Sequence, residues 1–296
     1  MLHHFLTFGK GDIFIDAAHR LCDEAYVTNI FDHIHVYTDS DLTEMEHFWN
    51  THGQFLEANP KGYGYWIWKP YLIWKHLLNM NDGDVLWYAD SGCEFDNHCE
   101  QPKEAYMEMI PSLIIHKIIA SYSGFDNRMT KQDLITYLDM NKHPELETEQ
   151  RQATSILFYN DEKTRSFAKQ WYTTCCNYHL ISDSPSVIPN EECYLEHRHE
   201  QAIFSLLTKK LNMYAKYETI EKCICLSRNR SGKSRKAPRV MGSGFFYPYG
   251  EHLFNEKQIF HMAKTVKLHS PKHIFEIGFG SGRSAATIVQ SLLYHK

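Results

Sequence analysis

No stretch of this sequence is both long and apolar enough to cross a bilayer. The best candidate, residues 110–119, is interrupted by Pro111, His116 and Lys117, and a helical span needs about 20 apolar residues. The first nine residues, Met-Leu-His-His-Phe-Leu-Thr-Phe-Gly, lack a basic segment followed by a long apolar one, so no export signal is expected and they read as a first strand entering a turn. There is no Cys-x-x-Cys pair and no zinc-finger spacing among the eight cysteines at 22, 93, 99, 175, 176, 193, 223 and 225. The expectation is free thiols in the cytoplasm, which excludes a disulfide-rich secreted scaffold. Neither sign of charge dominates: 31 Lys+Arg stand against 36 Asp+Glu, a net charge of −5, and nothing advertises a nucleic-acid binder. Internal repeats and low-complexity tracts are also missing.

What is present is an ordinary globular balance. Apolar residues make 43% of the 296 and charged residues 23%, enough for a proper core and incompatible with intrinsic disorder. The length suits two domains or one large one. Aromatics are plentiful, with 6 Trp, 18 Tyr and 17 Phe, and flat rings can stack on sugars or bases as well as pack.

Apolar runs at 5–8, 34–37 and 85–89 predict strands, and helical spacing at 13–29 and 71–80 separates them. Strand–helix alternation predicts an α/β domain with a mainly parallel, Rossmann-like sheet flanked by helices. Ligands of such sheets sit beyond the carboxyl ends of the strands, which here read Thr7-Phe8-Gly9, Tyr37-Thr38-Asp39 and Asp90-Ser91-Gly92. Further helices are predicted over 158–178 and 200–211. Near residue 226 the composition changes: Arg228, Arg230, Lys233, Arg235, Lys236 and Arg239 place six cations in twelve residues. This segment reads as a solvated linker in preference to a phosphate or RNA patch, having neither periodicity nor interleaved aromatics.

Three stretches carry chemistry. Residues 61–70 read Lys-Gly-Tyr-Gly-Tyr-Trp-Ile-Trp-Lys-Pro: Pro70 suits a first helical turn, and Lys69 beside a helix start can receive a phosphate, or be merely solvated. Tyr65 and Trp66 are stacking candidates or core anchors. Residues 82–94 read Asp-Gly-Asp-Val-Leu-Trp-Tyr-Ala-Asp-Ser-Gly-Cys-Glu. Asp90 ends a buried-looking strand, where a carboxylate can hold a divalent cation that bridges a diphosphate; the plainer reading is a loop cap. Residues 196–207 read Glu-His-Arg-His-Glu-Gln-Ala-Ile-Phe-Ser-Leu-Leu, a polar cluster entering an amphipathic helix. Its start either caps the helix or offers His199, Glu200 and Gln201 to a substrate. His197 and His199 alone do not argue for a metal, since 19 histidines make such spacings common.

Together the three motifs resemble a family of bacterial and large-virus glycosyltransferases with the GT-A fold. The likeness is strongest to the amino-terminal glycosyltransferase domain of chlorella-virus-type multidomain proteins, and it spans roughly residues 1–215. It implies a nucleoside-diphosphate-sugar donor, a glycan or related hydroxyl acceptor, and a divalent cation, Mn²⁺ or Mg²⁺, at Asp90. On this reading Asp90 and Glu200 are catalytic. Thr7, Phe8, Gly9, Tyr37, Thr38, Lys69, Ser91, His199 and Gln201 would line the nucleotide-sugar site, and Tyr65 and Trp66 would stack on the sugar or acceptor. Glu94, Asp96 and Glu200 are candidate bases. Two departures stand out: Gly92 replaces the second acid of the metal motif, and Glu200 stands where Asp is expected. A fourth stretch at 275–283, Phe-Glu-Ile-Gly-Phe-Gly-Ser-Gly-Arg, is similar to the first motif of class I S-adenosylmethionine-dependent methyltransferases, through Glu276, Gly278, Gly280 and Gly282. The expected organisation is a transferase domain at 1–220, a basic linker at 221–254, and at 255–296 an incomplete methyltransferase-like segment that would bind its cofactor only in a longer form. The alternative function is a methyltransferase fragment with an amino-terminal acceptor-binding module; a lectin-like binder ranks third.

Overall fold

The computed structural model describes residues 1–95, 102–216 and 220–234, all within one compact unit, Met1–Lys236. The elements run β1 (His3–Gly9), α1 (Gly11–Val27), β2 (His33–Thr38), α2 (Asp39–Glu44), α3 (Glu46–Ala58), α4 (Gly62–Tyr65), α5 (Trp68–Leu78) and β3 (Val85–Ala89). They continue through α6 (Pro102–His116), β4 (Ile118–Phe125), α7 (Asp126–Met129), α8 (Gln132–Tyr137), β5 (Glu149–Tyr159), α9 (Glu162–Cys175), α10 (Tyr178–Ile181) and α11 (His199–Lys210).

Five strands form one sheet in the order β2-β1-β3-β5-β4. β1 pairs parallel with β2 and β3, whereas β5 runs antiparallel to both β3 and β4. The sheet is therefore mixed, not mainly parallel as expected, within an α/β layout of five strands flanked by helices. The predicted strands at 5–8, 34–37 and 85–89 form β1, β2 and β3; β4 and β5 went unread. Residues 158 and 159, expected in a helix, close β5 instead. α9 starts only after Asp161, whose carboxylate accepts from the Thr164 N–H as an N-cap.

β3 explains the architecture. All five of its residues are buried, so it must be covered on both faces. Leu86 and Tyr88, with Leu6 and Phe8 of β1, join a core shared with α5, α9 and α11. Val85 and Trp87, with Phe5, join a second core that includes Leu21 of α1 and Tyr106 and Leu113 of α6. Residues 221–234 of the expected linker, with Ile220 before them, fold onto this second face as far as they are described. Ile220, Cys223 and Ile224 belong to its core, Cys225 bridges to Glu94, and Asn229 is fully buried. No helix among the described residues is long and apolar enough to cross a membrane. The methyltransferase-like residues Glu276, Gly278, Gly280 and Gly282 lie outside the described residues.

Candidate functional site

Asp90 follows β3 directly, and the alternation of the strand turns it toward the face of Leu86 and Tyr88. Its backbone N–H is held by the Thr154 carbonyl of β5 at 2.8 Å. α5 delivers Lys69 to the same point: Phe8 stacks on Trp68 with centroids 3.9 Å apart, fixing the helix start over the end of β1. Pro70, in that first turn, has no N–H to leave unsatisfied. α11 delivers Glu200 from its own first turn, with the Trp171 indole donating to the Glu200 carbonyl at 2.8 Å.

Three charged groups thus converge. The Lys69 ammonium lies 3.1 Å from Asp90 Oδ1 and 2.9 Å from Glu200 Oε1, and it donates to the Ala153 carbonyl at 3.0 Å. The Tyr88 hydroxyl donates to Asp90 Oδ1 at 2.6 Å. Lys69 and Glu200 are almost wholly enclosed, while the Asp90 side chain remains 33% exposed. Asp90 is the member of the cluster that can meet a ligand; the other two hold it in place.

One ammonium faces two carboxylates, so one negative charge is surplus. Burial works against the Lys69 cation, but Asp90 and Glu200 outweigh it and hold its pKa above the usual lysine value. Glu200 bears the cost: burial pushes its carboxyl up to about 7, a rise Lys69 only partly offsets. Burial, then the Asp90 carboxylate, holds the Tyr88 hydroxyl protonated well above the ordinary tyrosine range. The folded chain therefore keeps the Glu200 proton up to about pH 7, whereas an unfolded glutamate releases it near 4.5. Glu200 favours the folded state below that window, and its contribution falls as pH rises across it, by on the order of 3 kcal/mol. Glu200→Gln should flatten the loss of stability between pH 5 and 7.5, measured by urea unfolding at several pH values. Parallel curves for the two proteins would show that Glu200 is not the titrating group.

The aromatic stretch before α5 is strained. Gly62, Tyr63, Gly64, Tyr65 and Trp66 all have positive φ, between 51° and 76°, so α4 is a left-handed turn. Each non-glycine residue there costs about 1–2 kcal/mol. The Trp66 indole lies over Gly62, where a Cβ would come within 2.3 Å of the ring; only glycine fits. The turn is fastened by Trp68 Nε1 donating to the Gly62 carbonyl at 3.0 Å and by Lys10, whose ammonium sits 3.5 Å from the Tyr63 ring centroid. Tyr65 and Trp66, both half-buried, flank the His199 ring at 4.9 and 5.6 Å. His199 itself has φ +52° and shares a hydrogen bond of 2.8 Å with the Ile181 carbonyl through Nδ1. Burial lowers its pKa, favouring the neutral ring. Strain concentrated in this way marks positions that the rest of the fold holds against their preference.

The structure brings together Asp90, Lys69 and Glu200, with Tyr65, Trp66 and His199 alongside. Other expected site residues have different work. Lys69 does not offer a free charge to a phosphate, because two carboxylates neutralise it in the interior. Thr7 is fully buried on the Phe5 side of the sheet, and Phe8 is core. Gly9 lets α1 close onto β1: a Cβ there would meet the Phe14 carbonyl at 2.5 Å. Thr38 caps α2 in a reciprocal box with Asp41. Ser91 is buried, its carbonyl accepting from Arg20 at 2.8 Å, and Tyr37 is half-buried at the end of β2. Gln201 accepts from the Ala153 N–H at 3.2 Å and donates to Gln150 at 2.7 Å, tying α11 to β5. Glu94 is spent on Ser227 and Asn229, and Asp96 lies outside the described residues. Tyr88 and Gln150 are members that motif reading missed; the apolar run of β3 and the polar run of β5 gave no cue to them.

The expected divalent cation does not fit the described residues. Asp90 Oδ1 already serves Lys69 and Tyr88. No group of three His, Cys, Asp or Glu among the described residues could hold a metal. At Gly92, the place of a second acid, a Cβ would stand 3.1 Å from the Arg228 Cα. A separate cleft at the amino end of β1, lined by His3, Asp32 and Lys103 among others, lies at the opposite end of the strands.

Neither a family model nor a curated protein matches the chain. Among solved structures it is similar to the apo form of mouse xyloside xylosyltransferase 1, with 10% sequence identity and a TM-score of 0.40, covering 72% of this chain and 84% of that one.

Proposed function

We propose that the chain is a glycosyltransferase that moves a sugar from a nucleoside-diphosphate donor to a hydroxyl of a glycan-like acceptor. The observation that carries this reading is a one-third-exposed carboxylate, Asp90, fixed at the carboxyl end of a central parallel strand by a buried ammonium and a tyrosine hydroxyl. That strand end is where ligands of such sheets bind. A carboxylate whose orientation is set in advance accepts hydrogen bonds from a ribose or donor-sugar hydroxyl at little further entropic cost. Lys69 and Tyr88 orient Asp90, Glu200 braces Lys69 from behind, and Tyr65 and Trp66 supply apolar ring faces for a sugar. The finer likeness, to chlorella-virus-type proteins, is carried by the sequence motifs alone.

Donor hydrolysis tests the reading, with a panel of nucleoside-diphosphate sugars and water as acceptor. Asp90→Asn keeps the shape and a hydrogen-bonding oxygen but removes the charge. It should lower turnover by about a hundredfold or more while leaving the melting temperature nearly unchanged. Hydrolysis at the wild-type rate in this variant would remove Asp90 from the site.

A further inference from the structure

The misfit of a metal at Asp90 has a counterpart in the loop that follows it. Arg20 of α1, itself buried, donates to the carbonyls of Ser91, Asn229 and Ser231 at 2.8, 3.1 and 3.1 Å. It thereby clamps the 228–234 segment to the loop that follows β3. The Asn229 N–H adds a bond to the Gly92 carbonyl at 2.8 Å, and Asn229 also donates to Glu94. Arg228 is left exposed, directly over Gly92. Arg230, also exposed, lies with its guanidinium 5.5 Å from the Phe14 ring. Phe14 is the residue whose carbonyl abuts Gly9 at the end of β1. Two arginines therefore lie beside the segments that leave the carboxyl ends of the neighbouring strands β1 and β3, Arg228 at the loop after β3 and Arg230 at the first turn of α1. Lys233 is exposed on the same segment, and the acids on the facing helix are Asp12, Asp16, Asp23 and Glu24, of which Asp16 lies beside Gly232 and Glu24 accepts from Ser234 and pairs with Arg20 at 2.9 Å.

We propose that the clamped segment 228–233, through Arg228 and Arg230, binds the diphosphate of the donor and offsets its charge where a second metal-binding acid would otherwise stand. This rests on the glycosyltransferase reading and specifies how that site meets its donor. A guanidinium binds phosphate oxygens through paired N–H donors and keeps its charge at any working pH. The buried clamp makes the segment part of the fold, so its cations are placed before a ligand arrives.

The test is binding of UDP, GDP, ADP and CDP, and of the corresponding nucleosides, to the whole 296-residue chain by calorimetry, in EDTA and again with Mn²⁺. At least one diphosphate should bind in EDTA, with affinity that falls steeply as salt is raised. Arg228→Gln with Arg230→Gln should weaken that binding at least tenfold, leave nucleoside affinity and the melting temperature unchanged, and be largely rescued by Arg228→Lys with Arg230→Lys. Diphosphate binding that requires Mn²⁺, or that is unaffected by the double Gln variant, overturns the proposal but leaves the glycosyltransferase reading standing. If no diphosphate binds with or without Mn²⁺, both fall together.

Discussion

Replacing Lys69 by Met is expected to cost about 3–5 kcal/mol of stability, the usual penalty for removing one partner of a buried ion pair, and to abolish turnover. In a domain of this size that corresponds to a fall in melting temperature on the order of 10 °C. Methionine fills most of the lysine volume, so the loss is electrostatic. Among the described residues, Glu200 keeps its burial and loses its charged partner, the Ala153 carbonyl loses a donor, and the Asp90 side chain keeps its bond from Tyr88. Lys69→Arg should fare little better, because a planar fork cannot meet two carboxylates and a carbonyl from the position of a single ammonium. Urea unfolding with parallel donor-hydrolysis assays decides the matter. A Met variant within 1 kcal/mol of wild type would mean that the cluster contributes nothing to the fold.

A second large effect is expected far from Asp90. Lys209 and Asp126 are both fully enclosed, with Nζ and Oδ2 2.5 Å apart. Asp126 also accepts from Ser205 at 2.8 Å and from Gln150 at 2.9 Å, and Lys209 reaches Thr148 Oγ1 at 2.7 Å. Lys209→Met strands the Asp126 carboxylate in the interior with neutral donors only, which should again cost about 3–5 kcal/mol. Adding Asp126→Asn removes the stranded charge and should restore at least half of the loss, because the penalty lies in the unpaired charge. Equal stability of the single and double variants in urea would count against this account. Since Gln150 links Asp126 to Gln201 and hence to the strand beside Asp90, the single variant should also loosen donor binding before it unfolds.

The two pairs explain what was legible in the sequence. β1, β2 and β3 could be read because each is an apolar run that ends in Gly, Thr or Asp. β5 could not, since Gln150, Arg151 and Ser155 are buried polar residues inside the strand whose partners come from α7, α11 and β3. A polar residue in sequence carries no mark of a partner waiting elsewhere. The same limit applied at the site: Asp90, Lys69 and Glu200 each stood out from its own motif, but their meeting on one ammonium is a tertiary fact. Thr7, Phe8 and Ser91 show a related limit. Lying at strand ends suggests access, while the covering of the central strands leaves all three buried, Phe8 within a core. The basic segment after residue 226 looked solvated by composition, because Arg20, which clamps it, sits two hundred residues upstream.

The antiparallel insertion of β5 also sets an order on how this site comes into being during synthesis. As the chain emerges amino end first, β1, β2 and β3 can pair as soon as they are made, and Asp90 and Lys69 are already present. The free edge of β3 then has no neighbour until Glu149 and the residues after it have left the ribosome, and Lys69 lacks its second carboxylate until α11 follows, 131 positions later. Through that interval the nascent chain carries an open strand edge and an incompletely paired ammonium, the state in which edge-to-edge association is most favourable. Translation speed between β3 and α11, or a chaperone that shields that edge, is therefore expected to influence the yield of folded protein.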